Sequence, residues 1–413
     1  MMACPDNPPP AYKPIYPPMV FYSANFTPKI SKTLPSWPNP VQGQCLPDCP
    51  FIAALASLAW VNRNFIIQNI SGPDDVGNYT FTFWDYPGKT GVSLSGSLTS
   101  GIQLNTLDCN GNPGGIPRKV TVGSQVLQDG NLKTSDPKGI SYGAGSTNPN
   151  EVWPALFERA YAKFCIYTNG LSLLATPGKP MSLNDLADTT KDPTYADVMT
   201  ISKPQWGGNA AIALMYLTGL NCFAYTTTSN TFNAIGGISA SAKGSSLYTF
   251  INMGFCLEKT KVWGVNKTRY PLVAMTYVSE DQSPAGRYDP NGNPGGIKFD
   301  PRTIMADHCY PVLGTFDAPD GGHYIVLRTT FGLWDPDPDY PVKNFLKIVR
   351  SPNSSWSYLD AEFMLGKTPQ YPANAVTKIA LTLDLSDTTD AIFGIEQGAF
   401  INYFSTIGWA QGY

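Results

Sequence analysis

The stretch from Cys49 to Trp60, Cys-Pro-Phe-Ile-Ala-Ala-Leu-Ala-Ser-Leu-Ala-Trp, is apolar on every face. Ala and Leu favour helix, and a helix that is apolar all round has no side to present to water. The pattern predicts a buried helix over 49–60, which requires a chain large enough to enclose it. With 413 residues, 42% hydrophobic and only 14% charged, this chain is large enough and globular. Pro50 suits the first helical turn, where its missing N–H costs nothing, and Asp48 suits the N-cap. Cys49 thus falls where a helix N-terminus stabilises a thiolate. Taken alone, a cysteine before a buried helix is more often structural than reactive; a nucleophile also needs a base.

Two further helices are legible. From Glu151 to Phe164 the residues Trp153, Leu156, Phe157, Ala160, Tyr161 and Phe164 follow an i, i+3, i+4, i+7 stripe. Another spans about Asn209 to Leu217 and is closed by Thr218-Gly219. Beyond residue 220 the texture turns to strands at Leu247–Ile251, Leu272–Val278, Cys309–Phe316, Tyr324–Thr329 and Ile379–Leu385, all rich in β-branched and aromatic residues. A helix-rich first half and a strand-rich second half make an α+β chain that divides near residue 205. The Pro-rich start, residues 1–30, reads as an arm ahead of a helix-rich lobe (31–205) and a β-rich lobe (206–413).

Two histidines are available as a base. His308 opens a strand that turns near Pro319–Asp320 and returns through Tyr324. In such a hairpin, paired residue numbers sum to about 639, which puts His308 opposite 329–331 at the open end, with Thr329 on its face. His323 lies beside the turn, facing about Phe316, a poorer place for catalysis. Its rival claim is that Trp334-Asp335-Pro336 follows it, with Asp335 as an orienting carboxylate.

Composition removes several classes. Twenty-eight basic against 31 acidic residues, with no long basic run, exclude a phosphate-tracking surface and hence a nucleic-acid partner. No apolar run is long enough for a membrane span, and the first residues lack the pattern of a secretory signal, which points to an intracellular protein. Eight cysteines without close C-x-x-C pairs argue against a zinc site. The nonamer at 108–116 nearly recurs at 289–297 and places Asp289, Asn291, Asn293 and Asp300 at calcium-loop spacings. Pro294 stands where such a loop needs glycine, so both copies read as turns.

Seven blocks, in order, resemble the calpain catalytic core over about residues 41–407. Gln42-Gly-Gln-Cys-Leu-Pro-Asp-Cys49-Pro-Phe-Ile-Ala-Ala-Leu-Ala-Ser-Leu-Ala59 is similar to the family's Q-G-x-L-G-D-C-W-F-L-A-A-x-A-S-L. Phe81-Thr-Phe-Trp84 is similar to F-x-F-W, and Glu151 through Lys163 to E-x-W-x-A-L-L-E-K-A-Y-A-K. Gly207-Gly208 with Leu217-Thr-Gly219, then His308-Cys-Tyr-Pro-Val-Leu-Gly314, Arg328-Thr-Thr-Phe-Gly332 and Ile392 through Phe404 complete the series.

The resemblance implies a papain-like fold: a helical lobe and an antiparallel, barrel-like β lobe with the active-site cleft between them. It implies cysteine-dependent peptide-bond hydrolysis (an endopeptidase) through a thioester acyl-enzyme, acting on a peptide or protein substrate without a required cofactor. Cys49 becomes the nucleophile, His308 the general base and acid, and Thr329 the residue in the place of the orienting Asn. The oxyanion glutamine is Gln42 or Gln44, because one extra residue lies in that block; Gln42 keeps its following glycine. Gly207 and Gly208 match the bare backbone edge that pairs with substrate. Pro47, Pro50 and Phe331 depart from the family pattern, and residues 168–204 are an addition to it. Gly123-Ser124 replaces the family's acidic pair, so calcium activation is not carried over. Two alternatives stand beside the peptidase: an acyl transferase or cyclase on the same machinery, and a catalytically weak binding or scaffold protein.

Overall fold

A computed structural model describes residues 11–14, 40–43, 46–61, 66, 68–86, 102–104, 115–128, 143–146, 152–228, 243–252, 261–262, 265–287, 296–300, 304–317, 322–331, 348–350, 357–358 and 392–411. The contacts divide the chain into two compact units that change over between Cys222 and Phe223.

The first unit contains strands β1 (Ala11–Pro14) and β2 (Pro40–Val41), helix α1 (Cys49–Val61), then β3 (Ile70–Ser71) and β4 (Tyr79–Asp85). After β5 (Ile102–Leu104), which joins the other unit's sheet, come β6 (Ile116–Val122), β7 (Gln125–Gln128) and β8 (Gly145–Ser146). Three helices follow: α2 (Trp153–Thr168), α3 (Tyr195–Met199) and α4 (Ala210–Thr218).

Helix α1 begins at Cys49, and every residue from Cys49 to Trp60 is buried, as an all-round apolar helix must be. It packs against α4, while β4 and β6 form an antiparallel sheet with β3 that packs on α2. The predicted stripe of α2 meets that sheet and α1 through rings. Phe51 stacks on Tyr161 at 4.4 Å, and Phe83 stacks on Phe164 at 5.1 Å.

The charged face of α2 is also buried, which a stripe analysis does not foresee. Lys163 donates to the carbonyls of Thr121 and Asp188 and to Asp192 Oδ1, each at 2.9 Å. Arg159 pairs with Asp192 at 3.4 Å and lies under the Tyr12 ring. Asp188 and Asp192 belong to the segment 168–204, which therefore covers α2 and satisfies its charges. Within it, Thr194 and Asp197 form a capping box on α3. Helix α4 is capped by Asn209 and closed by Gly219 in the left-handed conformation, φ 69°.

The second unit is built on an antiparallel sheet. Its strands are β9 (Asn221–Thr226), β10 (Lys261–Val262), β11 (Val265–Thr276), β12 (Cys309–Asp317), β13 (His323–Arg328), β14 (Ile348–Arg350), β15 (Ser357–Tyr358), β16 (Ile392–Glu396) and β17 (Phe404–Gln411). The order β15-β14-β16-β13-β12-β11-β17-β9-β5, with β10 on β11, is an open path; the barrel-like closure expected above is not formed among the described residues. Helices α5 (Lys243–Phe250) and α6 (Gln397–Tyr403) supply Leu247, Phe250, Phe400 and Tyr403 to a core with Leu272, Tyr310, Val312, Ile325 and Phe393. Leu247–Ile251, expected as a strand, is the end of helical backbone. A five-residue apolar run does not distinguish the two, and here it is covered by α6 rather than paired in the sheet. The expected strand at 379–385 and the bodies of both nonamers lie outside the described residues.

Candidate active site

Cys49 is the first residue of α1 and is buried, with 3% of its surface exposed. The helix is started by its backbone: Ile52 N donates to Asp48 O at 3.1 Å. The Asp48 side chain does not cap it, contrary to expectation, because neither carboxyl oxygen meets a hydrogen-bond donor. That carboxyl instead lies beside Glu158 of α2 and is pushed up to about 7, chiefly by burial. Glu158 is likewise raised well above the ordinary carboxylate value, by burial first and by Asp48 second. The other described cysteines, Cys165, Cys222 and Cys309, are also buried free thiols. Burial raises the pKa of Cys165 and Cys222, which makes them poor nucleophiles.

Gln42 is buried in the approach to α1, and its Nε2 donates to Leu46 O at 2.9 Å. This bond folds the 42–48 segment on itself. Gln44 lies outside the described residues. Gly207 and Gly208 form a turn that only glycine takes easily, with φ of 113° and 50°. Their N–H groups donate to Pro204 O (3.2 Å) and Lys203 O (2.9 Å), so in this conformation only their carbonyls remain for an extended peptide.

In the second unit His308 sits just before β12, with 4% exposure. Its backbone is held twice by Thr276 at the end of β11. Thr276 N donates to His308 O at 2.9 Å, and His308 N donates to Thr276 Oγ1 at 2.9 Å. Asp307 before it adopts φ 51°, a left-handed conformation that Asp tolerates better than most residues. The imidazole stacks on Phe331 at 5.0 Å and 9°, and meets Tyr310 edge-on at 5.1 Å.

The ring's Nε2 lies 2.7 Å from Thr330 Oγ1. Thr329, which sequence parity put on the His308 face, is buried and immediately precedes it. The hairpin explains the offset. Register sums are 640 from Asp317↔His323 to Gly314↔Val326 and become 639 at Val312↔Leu327, after an irregularity at Leu313. The ladder then ends, with β13 stopping at Arg328, so strand alternation no longer decides which threonine faces the ring. In the tautomer whose Nε2–H donates to Thr330 Oγ1, Nδ1 is the ring position left to accept a proton.

His323 faces Asp317, one place from the expected Phe316, and its Nδ1 lies 2.7 Å from Asp317 Oδ1. The pair is about half exposed, at 44% and 46%, and Tyr248 lies against the His323 ring and donates to the same carboxyl oxygen. Asp335, the other proposed partner of His323, lies outside the described residues. Among the described residues no group of three or more His, Cys, Asp or Glu is arranged to hold a metal ion, and no helix is long and apolar enough to cross a membrane.

Over 329 residues the chain is 23% identical to a protein named "Thiol protease" from Porphyromonas gingivalis (strain ATCC BAA-308 / W83). The match covers 79% of this chain and 50% of that protein, so the chain spans about half the length of its relative. No protein-family model matches the chain.

Proposed function

We propose that the protein is a calpain-like cysteine peptidase of papain-like fold, with Cys49 as nucleophile and His308 as its base. The observation that carries this reading is that Cys49 opens a fully buried helix, where the aligned backbone dipoles favour a thiolate. Its likeness to a thiol protease over most of its length supports the same class. His308 supports it too, since an imidazole fixed at Nε2 by a hydroxyl and flanked by rings is oriented to use Nδ1. In the reaction, Nδ1 takes the Cys49 proton and the thiolate attacks a peptide carbonyl. The imidazolium then protonates the leaving amine, and water hydrolyses the thioester. The Gln42 amide is the candidate donor to the oxyanion, and the carbonyls of Gly207 and Gly208 are candidates to hold substrate backbone.

The test is a peptidyl electrophile that alkylates reactive thiols. Wild-type protein is expected to label at Cys49 and the C49A variant not to label. H308A should lose turnover of a peptide substrate while H323A keeps it. Equal labelling of wild type and C49A removes the nucleophile and leaves a binding or scaffold role. Loss of turnover in H323A alone transfers the base to the exposed His323–Asp317 pair.

A further inference from the structure

Two acids are buried together behind the candidate nucleophile, with no donor for one of them. The side chains of Asp48 and Glu158 belong to residues that are 0% and 1% exposed. Glu158 Oε1 accepts from Ala144 N at 2.8 Å. The other oxygen is pressed on Gly143, where a Cβ would lie 2.2 Å from Oε2. Both Asp48 oxygens are buried without an N–H or O–H partner, and Asp48 is the residue next to Cys49.

We propose that Asp48 and Glu158 hold one proton between them, and that this proton fixes the segment leading into Cys49 against α2. Two ionised carboxylates side by side in the interior would each bear a desolvation cost and repel one another. Among the described residues, no Lys or Arg interacts with either carboxyl. Arg159, the next residue on α2, is engaged with Asp192, the Gly123 and Gln125 carbonyls and the Tyr12 ring. Among the described residues, the other groups that interact with the pair are the Tyr12 phenol from β1 and the Gln42 amide from the approach segment, and Cys49 follows Asp48 in the chain. A proton on Glu158 donated to Asp48 meets the missing hydrogen bond and removes one of the two charges. The raised pKa values of both groups, each pushed up chiefly by burial, agree with this. Glu158 is then a positioning residue: it binds Asp48 on one side and Ala144 on the other, and so holds the start of α1. Losing the last proton at high pH would place a second negative charge beside the thiol and push the 42–48 segment off α2.

The effect on thiol reactivity rests on the hydrolase reading; the shared proton does not, and the experiment separates them. E158Q keeps an oxygen for Ala144 N and gives Asp48 a permanent N–H. Both carboxyls hold protons more tightly folded than unfolded, where their values are 3.8 and 4.5. Wild-type stability is therefore expected to fall relative to E158Q as pH rises from about 4 to about 8. The wild-type rate of Cys49 alkylation should rise with thiolate formation and then fall at alkaline pH, with no such fall in E158Q. E158A, which restores no donor, should alkylate about tenfold more slowly than E158Q at neutral pH. A constant gap in Tm between wild type and E158Q across that range overturns the shared proton. Equal alkylation of E158A and E158Q overturns the positioning role. If Cys49 never alkylates while wild-type Tm falls relative to E158Q over that pH range, the hydrolase reading fails and the shared proton stands.

Discussion

The imidazole Nε2 of His308 lies 2.7 Å from the hydroxyl of Thr330. A threonine hydroxyl is short and can rotate, so it orients the ring less firmly than a planar amide; stacking on Phe331 supplies the missing restraint. Replacing Thr330 by Val keeps the volume and deletes the acceptor. Turnover of a peptide substrate by T330V is expected to fall by about 10–100-fold in kcat with little change in KM. T330S should recover most of it, and T329V should retain more activity than T330V. The reverse order would return the orienting role to Thr329.

Thr276 holds the same histidine by its backbone. Its hydroxyl accepts from His308 N at 2.9 Å and donates to Met305 O at 2.7 Å, in a site that is 1% exposed. T276V leaves the buried His308 N–H and the part-buried Met305 carbonyl unmet, with a cost of about 1–3 kcal/mol for the buried donor. Urea unfolding should register this loss, and T276S should reverse most of it. Turnover measured well below the unfolding transition should also drop, because the backbone that carries the imidazole is then pinned to β11 by one hydrogen bond, from Thr276 N to His308 O, instead of two.

What could be read in advance follows from how local each signal is. Helix α1 was legible because its composition admits one solution, and α4 because Asn209 and Gly219 mark both its ends. The β12–β13 hairpin was legible to within one residue of register; the irregularity at Leu313 decides between 639 and 640. Thr330 was missed because alternation was extended past Arg328, where the strand stops. Leu247–Ile251 was misread because a short apolar run carries no period. The Asp48–Glu158 contact joins residues more than a hundred positions apart, and Asp48 had been assigned the local role of a cap. In the same way, the charged face of α2 gave no sign of burial until the 168–204 segment was seen to cover it.

Gly219 answers to two constraints at once. Its φ of 69° is a left-handed conformation, and a Cβ there would lie 2.5 Å from the Trp84 indole of β4. The conformational penalty for a non-glycine residue is about 1 kcal/mol, and the indole would have to shift as well. G219A is expected to destabilise the protein by about 2 kcal/mol or more, read as a lower urea midpoint. The Gly170 position offers the control. It too has positive φ, 65°, but nothing lies within 4 Å of its Cβ position, so G170A should show the conformational part alone.

Lys163 is expected to be the most sensitive position in the 168–204 interface. Its ammonium is buried, and it has three acceptors at 2.9 Å, two of them contributed by Asp188 and Asp192 of the covering segment. K163M fills the same space but leaves the Thr121 and Asp188 carbonyls unmet and Asp192 with Arg159 and the Gly123 N–H. Breaking one side of a buried ion pair costs about 3–5 kcal/mol, and the surviving partners of Asp192 argue for about 3 here. The loss should appear first as proteolytic cleavage within 168–204 under native conditions, because that segment is what the ammonium holds down. The pH dependence has a definite sign. Burial lowers the Lys163 pKa below the 10.5 of a free lysine, against the opposing pull of Asp192. The folded state therefore binds this proton less tightly than the unfolded chain does, and the contribution of Lys163 to stability, wild type minus K163M, should grow as pH rises towards 10.5. A difference that shrinks over that interval would mean that the ion pair with Asp192 outweighs burial, and that the ammonium stabilises the fold through its charge rather than through its three hydrogen bonds.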